Sequence, residues 1–347
     1  MNRMAKSVGI LKSLGVFIAV VLFLAGCSLS PKSDAEVVIY TSVDQPHSEP
    51  ILSAFEESTG IQVKAVYDIE AAKTTGLVNR LIAEKERPQA DVFWNSEIIQ
   101  TIRLQENGVL QPYLSPEAEG IPAEFRAPDG YWTGNAARAR VIITNTNLAQ
   151  GSENIDSIQD FLDPQWPPES LGLPYPLFGT TATHAAALYD VWGPKQALAY
   201  FDEIAARGVR VVDGNSVVRD LVASGDLIFG LTDTDDACGA VARGKPISVI
   251  LPDQDGIGTL VIPSTVALVA GGPNPEQGQI LIDYLLSQET EHALIEAEYS
   301  HIPLHESLEF PNKCLSIADV RPMQVNFTNV YQYFDLVQSE LREIFIR

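Results

Sequence analysis

The sequence predicts an α/β protein of two lobes, each built on a mixed, mainly parallel sheet, joined by two crossing hinge strands. Three observations predict it. A strand–loop–helix rhythm runs through residues 36–108, and it resumes after residue 138. Such alternation places helices on both faces of a mainly parallel sheet. Two strands, one crossing near 136–145 and one returning near 257–265, would carry the chain from the first series to the second and back. Finally, 347 residues at 46% hydrophobic exceed what one core usually organises. Two lobes on a hinge suit capture of a small ligand between them.

The elements follow in order. Glu36 to Ser42 reads as a strand around Val37-Val38-Ile39-Tyr40. Pro46 suits the first turn of a helix, along which Ile51, Leu52 and Phe55 recur at helical spacing until Gly60. Ile61 to Tyr67 alternates as a strand, and Thr74 to Glu86 is a helix with Leu77, Leu81 and Ile82 on one face. Ala90 to Trp94 is a short buried strand, and Ile98 to Glu106 a helix closed by Gly108. The second series has helices over Ala185–Trp192, Pro194–Arg207 and Val217–Ala223, with strands at 209–212, 227–231 and 247–251. Residues 161–174 carry Asp163-Pro164 and Pro167-Pro168 and read as loop. Pro275 to Glu298 reads as one helix, and Met323 to Ile346 as an amphipathic one. The expected first lobe is 36–137 plus 260–305, the second 138–259, with 306–347 a helical segment packing on both.

The first residues are an export signal rather than part of the fold. Arg3, Lys6 and Lys12 precede an apolar run, Leu14 to Ala25, too short to span a bilayer comfortably. It ends in Leu24-Ala25-Gly26-Cys27, similar to a bacterial lipoprotein signal-peptide box. That resemblance implies a signal peptide over 1–26, lipid on Cys27 and a polar tether over 27–35. Several acyl chains would then anchor the protein to the membrane.

Formal charge is −22, which disfavours nucleic acid and anionic membrane surfaces as partners of the folded body. Cys238 and Cys314 remain in the mature chain, and spacing does not decide whether they pair. No GxSxG, HExxH or phosphate-loop motif occurs, so an enzyme is not expected. His47 reads as a surface helix residue, His292, His301 and His305 have no spacing that suggests a site, and Trp94, Tyr131 and Trp132 read as core before cleft wall.

One stretch calls for a chemical reason. The run Leu227-Ile228-Phe229-Gly230-Leu231 leads into Thr232-Asp233-Thr234-Asp235-Asp236 and then a helix. One aspartate can cap that helix, and the dipole favours acids there. Three acids so close repel unless a cation, an amine or hydrogen-bond donors sit among them.

The chain resembles the bacterial periplasmic solute-binding proteins of ATP-binding-cassette importers, a type II-like two-lobe fold, and within them the ferric-ion-binding branch. The residues that carry the resemblance include Val38-Ile39-Tyr40, Phe55-Glu56-Glu57-Ser58-Thr59-Gly60-Ile61, Pro88-Gln89-Ala90-Asp91-Val92-Phe93-Trp94 and Gly214-Asn215-Ser216-Val217. The resemblance implies that iron-binding tyrosines would fall on Asp235 and Asp236, and a histidine on Asp44. A glutamate would fall on Ser96 or, with a one-residue slip, Glu97, beside Asn95 on the same polar loop. An anion would rest on Thr180, Thr181 and Ala182, touched by Asn215 and by an asparagine that here is Asp233. His184 follows just inside that helix.

The expected metal set is therefore Asp44, Asp235 and Asp236, since hard cations prefer oxygen ligands. Arg138 and Arg140 on the crossing strand would meet a ligand carboxylate or structural acids. The expectation is a monomer without a resident cofactor. It would deliver a small solute, ferric iron or another hard cation first, to a permease and ATPase. A zwitterion such as an aminophosphonate or amino acid is the second reading, and a lipid-anchored sensor or interaction protein the third.

Overall fold

Two strands, running antiparallel, tie the fold together. The computed structural model describes residues 35–68, 75–148, 154–299, 302–305, 308, 314–315 and 320–346; Cys27, the signal peptide and most of the tether lie outside them. The chain divides into Met1–Ala35 and Glu36–Arg347, and the elements below belong to the latter. In the first group of strands, β1 (Glu36–Thr41) lies parallel between β2 (Gln62–Tyr67) and β3 (Val92–Asn95). The short β4 (Leu110–Gln111) comes next, and then β5 (Thr133–Asn145), longer than the expected 136–145. In the second group, β6 (Leu171–Pro174) lies parallel between β7 (Arg210–Val212) and β8 (Phe229–Asp233), and β9 (Ile247–Ile250) pairs with β5. The last strand, β10 (Val261–Val269), runs antiparallel to β3, β4 and β5.

The changeover sits on β5. From Thr133 to Ala139 it pairs with β10, and from Arg140 to Asn145 with β8 and β9. Arg140 N donates to Leu260 O at 2.9 Å, where the returning chain meets it. Both crossing strands are buried almost throughout, which explains their apolar runs at 141–143 and 266–269.

Helices cover the strands. α1 (Gln45–Thr59) has Pro46 in its first turn, buries Ile51, Leu52 and Phe55, and stops at Gly60, whose φ of 74° suits a residue without Cβ. α2 (Thr75–Ala83) is shorter than expected. α3 (Ile98–Glu106) has its expected bounds. α4 (Gly179–Trp192) begins well before the expected Ala185, so its threonine-rich start is itself helical. α5 (Pro194–Arg207) and α6 (Asn215–Ser224) follow, then α7 (Thr234–Ala242) directly after β8. The expected single helix over 275–298 is two, α8 (Pro275–Leu286) and α9 (Gln288–Glu296). The break falls at Ser287, whose extended backbone and hydroxyl cap the second helix. Strand β6 lies inside the proline-rich stretch read as loop; being short and next to Pro167-Pro168, it lacks a periodic signal.

α10 (Phe327–Phe345) begins after its cap Asn326 rather than at Met323. It packs on α3, which follows the first group of strands, and on α4 and α5 of the second. Tyr189 donates to Glu340 at 2.7 Å and Gln338 to Leu177 O at 2.8 Å. Cys238 on α7 and Cys314 are joined in a disulfide that closes a loop of 76 residues.

Candidate ligand-binding site

β8 and β5 run antiparallel with Asp233 directly opposite Arg140, and α7 starts at the next residue, Thr234. Asp233 stands at the cap position, yet its side chain makes no cap hydrogen bond. It turns instead to Arg140, which is 0% exposed. Arg140 Nη1 also donates to Asn215 Oδ1 at 2.9 Å and Thr180 Oγ1 at 3.1 Å, and Nη2 to Thr181 Oγ1 at 3.1 Å. Asp233 Oδ2 accepts from Thr180 Oγ1 at 2.6 Å and Asn215 Nδ2 at 2.8 Å. A buried ion pair repays its desolvation only when hydrogen bonds surround it this closely.

This network corrects the sequence reading. Thr180, Thr181, Asn215 and Asp233 come together as expected, but around a guanidinium of the chain itself rather than an open anion cradle. Ala182 is buried, and its N–H donates to Phe178 O at 3.2 Å inside α4. His184 faces the interior, lining a small cavity with Leu188, Tyr200 and Phe201. Burial and the nearby Arg140 push its pKa down to about 3, so the imidazole is neutral, and its Nε2 has no partner among the described residues.

Glu97 is likewise committed within the fold. It caps α3, Oε1 accepting from Ile99 N at 2.7 Å and from Thr183 Oγ1 at 2.9 Å. Burial raises its pKa, and these donors oppose the rise. Asn95 accepts from Ser42 Oγ at 2.7 Å and donates to Thr101 Oγ1 at 2.9 Å, and Ser96 N donates to Ser42 Oγ at 2.9 Å. These residues knit the loop after β3. The Glu97–Thr183 bond ties that loop to α4 across the changeover.

Asp235 and Asp236 occupy the first turn of α7. Asp235 Oδ2 meets Arg138 Nη1 at 3.1 Å, and its Oδ1 is buried without a partner among the described residues. Asp236 Oδ1 meets Arg219 Nη1 at 2.5 Å. Burial, then the charge of Asp235, raise the Asp236 pKa to about 7. Burial opposes the Arg138 charge, but Asp235, Tyr299 and Asp233 outweigh it and hold its pKa above the usual guanidinium value.

The other side of this row comes from the first group. Arg138 lies 5.6 Å from the centre of the Tyr299 ring, and the His47 ring, tilted by 41°, lies 5.5 Å from the same ring. Tyr299 is buried, its hydroxyl 2.8 Å from Ser264 Oγ. Burial raises its pKa, Arg138 opposes this, and Asp235 and Asp44 add to it. Asp44, exposed at the start of α1, thus shares the field of Asp235. Among the described residues no three His, Cys, Asp or Glu side chains gather into a metal-holding set. Asp44, Asp235 and Asp236 therefore do not form a ready all-carboxylate cage; arginines neutralise two of them.

Sequence reasoning missed Arg219 and Tyr299. Arg219 lies one turn after Asn215 on α6, a spacing that puts both on one helical face and that could have drawn notice. Tyr299 follows α9 and carried no local signal.

Two groups of strands joined by a pair of crossing strands, with charged side chains converging at the changeover, define a two-lobe solute-binding architecture. The chain belongs to the bacterial extracellular solute-binding protein family, whose model matches residues 51–309. It is 26% identical to iron uptake protein A1 of a Synechocystis strain, covering 92% of this chain and 95% of that one. It is 23% identical to the major ferric iron-binding protein of Neisseria meningitidis, covering 89% and 93%. A Salmonella typhimurium protein named for 2-aminoethylphosphonate binding is 25% identical over 78% of this chain and 80% of that one. The ferric binding protein from Campylobacter jejuni has the same fold, with TM-score 0.79 at 22% identity, covering 89% of this chain and 99% of that one. Among the described residues no helix is long and apolar enough to cross a membrane.

Proposed function

We propose that this protein captures a small solute outside the cytoplasmic membrane and hands it to the permease and ATPase of an importer. The solute we assign is a hard cation, ferric iron first, in line with the relatives named for iron. The observation that carries the reading is that Asp235 and Asp236 stand together on the first turn of α7 while Arg138, bonded to Asp235, lies over Tyr299 from the other side of the crossing strands, a ring that also feels the charge of Asp44. The lobes would be 36–137 plus 260–305 and 138–259, with 306–347 packed on both. Lobe closure would bring Asp44 to the α7 carboxylates. Lipid on Cys27 would hold the monomer at the membrane. No catalytic role is assigned.

One observation favours a second reading, a zwitterion such as an aminophosphonate: two arginines flank the two aspartates. Its amine would meet Asp235 and Asp236, and its anionic end the arginines. Native mass spectrometry of protein purified without chelator, followed by thermal melting, tests both. A ligand that binds only the folded state raises the melting temperature by mass action. Ferric ion should do so and a chelator should reverse it. The Asp235→Asn/Asp236→Asn double variant should lose the response; an undiminished response in that variant would refute the site.

A further inference from the structure

We propose that Glu97 and Thr183 form a latch between the two lobes: they are positioning residues that set how long cargo is held without touching it. The proposal rests on the two-lobe capture reading above and concerns closure rather than the identity of the cargo.

Four observations carry it. First, the bond joins opposite sides of the changeover. Glu97 follows β3 of the first group, and Thr183 lies on α4, which packs with the second. Thr183 Oγ1 donates to Glu97 Oε1 at 2.9 Å, and both residues are buried. Second, each half is mounted on its own group. Asn95 bonds Ser42 and Thr101, and Thr101 Oγ1 lies 2.7 Å from Thr265 Oγ1 on β10. Thr180 and Thr181, just before Thr183 on α4, are fixed to Arg140 and Asp233. The bond therefore follows the position of one lobe against the other rather than the swing of a loop. Third, neither half is stranded when the bond opens. Glu97 keeps Ile99 N at 2.7 Å and Gln100 N at 3.4 Å, and Thr183 has Gly179 O at 3.4 Å inside its own helix. A bond with such fallback partners can be made and broken at low cost, whereas a polar group left without any would resist release. Fourth, the latch stands beside the candidate site. Burial, which raises the Glu97 pKa, is opposed by its hydrogen bonds and also by the charge of Arg138, the residue that meets Asp235. Closure around cargo and formation of the latch are then one motion, and the bond stabilises the closed state only.

Thr183→Val tests it. The exchange keeps the shape of the side chain and leaves the Glu97 cap on α3 intact. In the closed state it sets a methyl group against a buried carboxylate, while in the open state water takes the place of the hydroxyl. Release of ferric ion to excess chelator is timed, and hydrogen exchange over residues 96–101 is followed in the same protein without added metal. Thr183→Val should release ferric ion about tenfold faster than wild type, the loss typical of a hydrogen bond to a charged group, and should exchange faster over 96–101. Thr183→Ser, which keeps the hydroxyl, should match wild type in both. Glu97→Gln, which keeps an acceptor oxygen but not the charge, should move both readouts in the same direction by less, and it serves if Thr183→Val folds poorly. Release and exchange both unchanged in Thr183→Val, or Thr183→Ser as fast as Thr183→Val, would overturn the latch and leave the capture reading standing. If the wild type binds no ferric ion, the hard-cation reading fails, and the exchange comparison, which needs no cargo, still decides the latch.

Discussion

Replacing Asp233 with Asn tests whether Arg140 is a structural core charge. The exchange is nearly isosteric, and the Asp233 side chain makes no cap bond to lose, so α7 should lose little. What changes is the charge facing Arg140, a residue with no solvent exposure. Removing one partner of a buried pair strands the other, typically at about 3–5 kcal/mol. Asn215, Thr180 and Thr181 still accept from the guanidinium, which places the expectation near about 3 kcal/mol, the low end of that range. Urea unfolding at 25 °C, followed by circular dichroism, measures it as a lower midpoint at unchanged slope. Asp235→Asn is the comparison. Its carboxylate is 29% exposed against Arg138 at 14%, so solvent screening limits the loss to roughly 1 kcal/mol or less. A loss below about 1 kcal/mol for Asp233→Asn, or one no larger than that for Asp235→Asn, would refute the buried-pair argument. The double variant Arg140→Met/Asp233→Leu should recover much of the loss, because no stranded charge remains.

The remaining predictions concern the frame around the site. His305 Nδ1 lies 2.7 Å from Glu291, both buried, and Glu291 raises the histidine pKa; that stabilisation should be complete below about pH 6.5, fade as pH rises through the folded value, and vanish in His305→Gln melting curves. His184 carries the opposite sign. With its pKa pushed down to about 3, the fold should lose stability as pH falls from about 6.5 towards 3, at up to about 1.4 kcal/mol per pH unit, and His184→Gln should flatten that slope. Opening the Cys238–Cys314 bond with a reductant, or in a Cys238→Ser/Cys314→Ser variant, should cost about 4 kcal/mol for a 76-residue loop by the chain-entropy relation, read as a lower urea midpoint; a change under about 1 kcal/mol would mean the loop is held by other contacts. Leu341→Ala, in the fully buried face of α10, should cost about 2–5 kcal/mol by the same assay.

Much of this arrangement was legible before any coordinates. The crossing strands announced themselves through the apolar runs Val141-Ile142-Ile143 and Val266-Ala267-Leu268-Val269, as expected of strands buried on both faces. Helix ends marked by Pro46, Gly60 and Pro194 fell where expected because those residues fix the backbone locally. The split at Ser287 and the early start of α4 were hidden. A serine cap inside an apolar period and a threonine-rich first turn both look ambiguous without their tertiary partners. The acidic cluster was visible, but what neutralises it was not. Arg138 and Arg140 come from another strand, and Arg219 from another helix. Long-range ion pairing leaves no period in a sequence.

Arg138 and Arg140 stand two residues apart on β5 and face opposite tasks because the strand changes partners between them. Arg138 pairs in register with Ile262 of β10, and Arg140 with Asp233 of β8. Arg140 therefore lies inside the second group, where a charge persists only with close partners, and four side chains meet its two terminal nitrogens. Arg138 lies at the seam, where its partners come from both sides. A two-lobe fold has to change strand partners somewhere, and that is where a charged side chain can be both anchored by one lobe and sensed from the other. The local environment on either side of Ala139, rather than residue type, separates the fully buried arginine from the one at the seam.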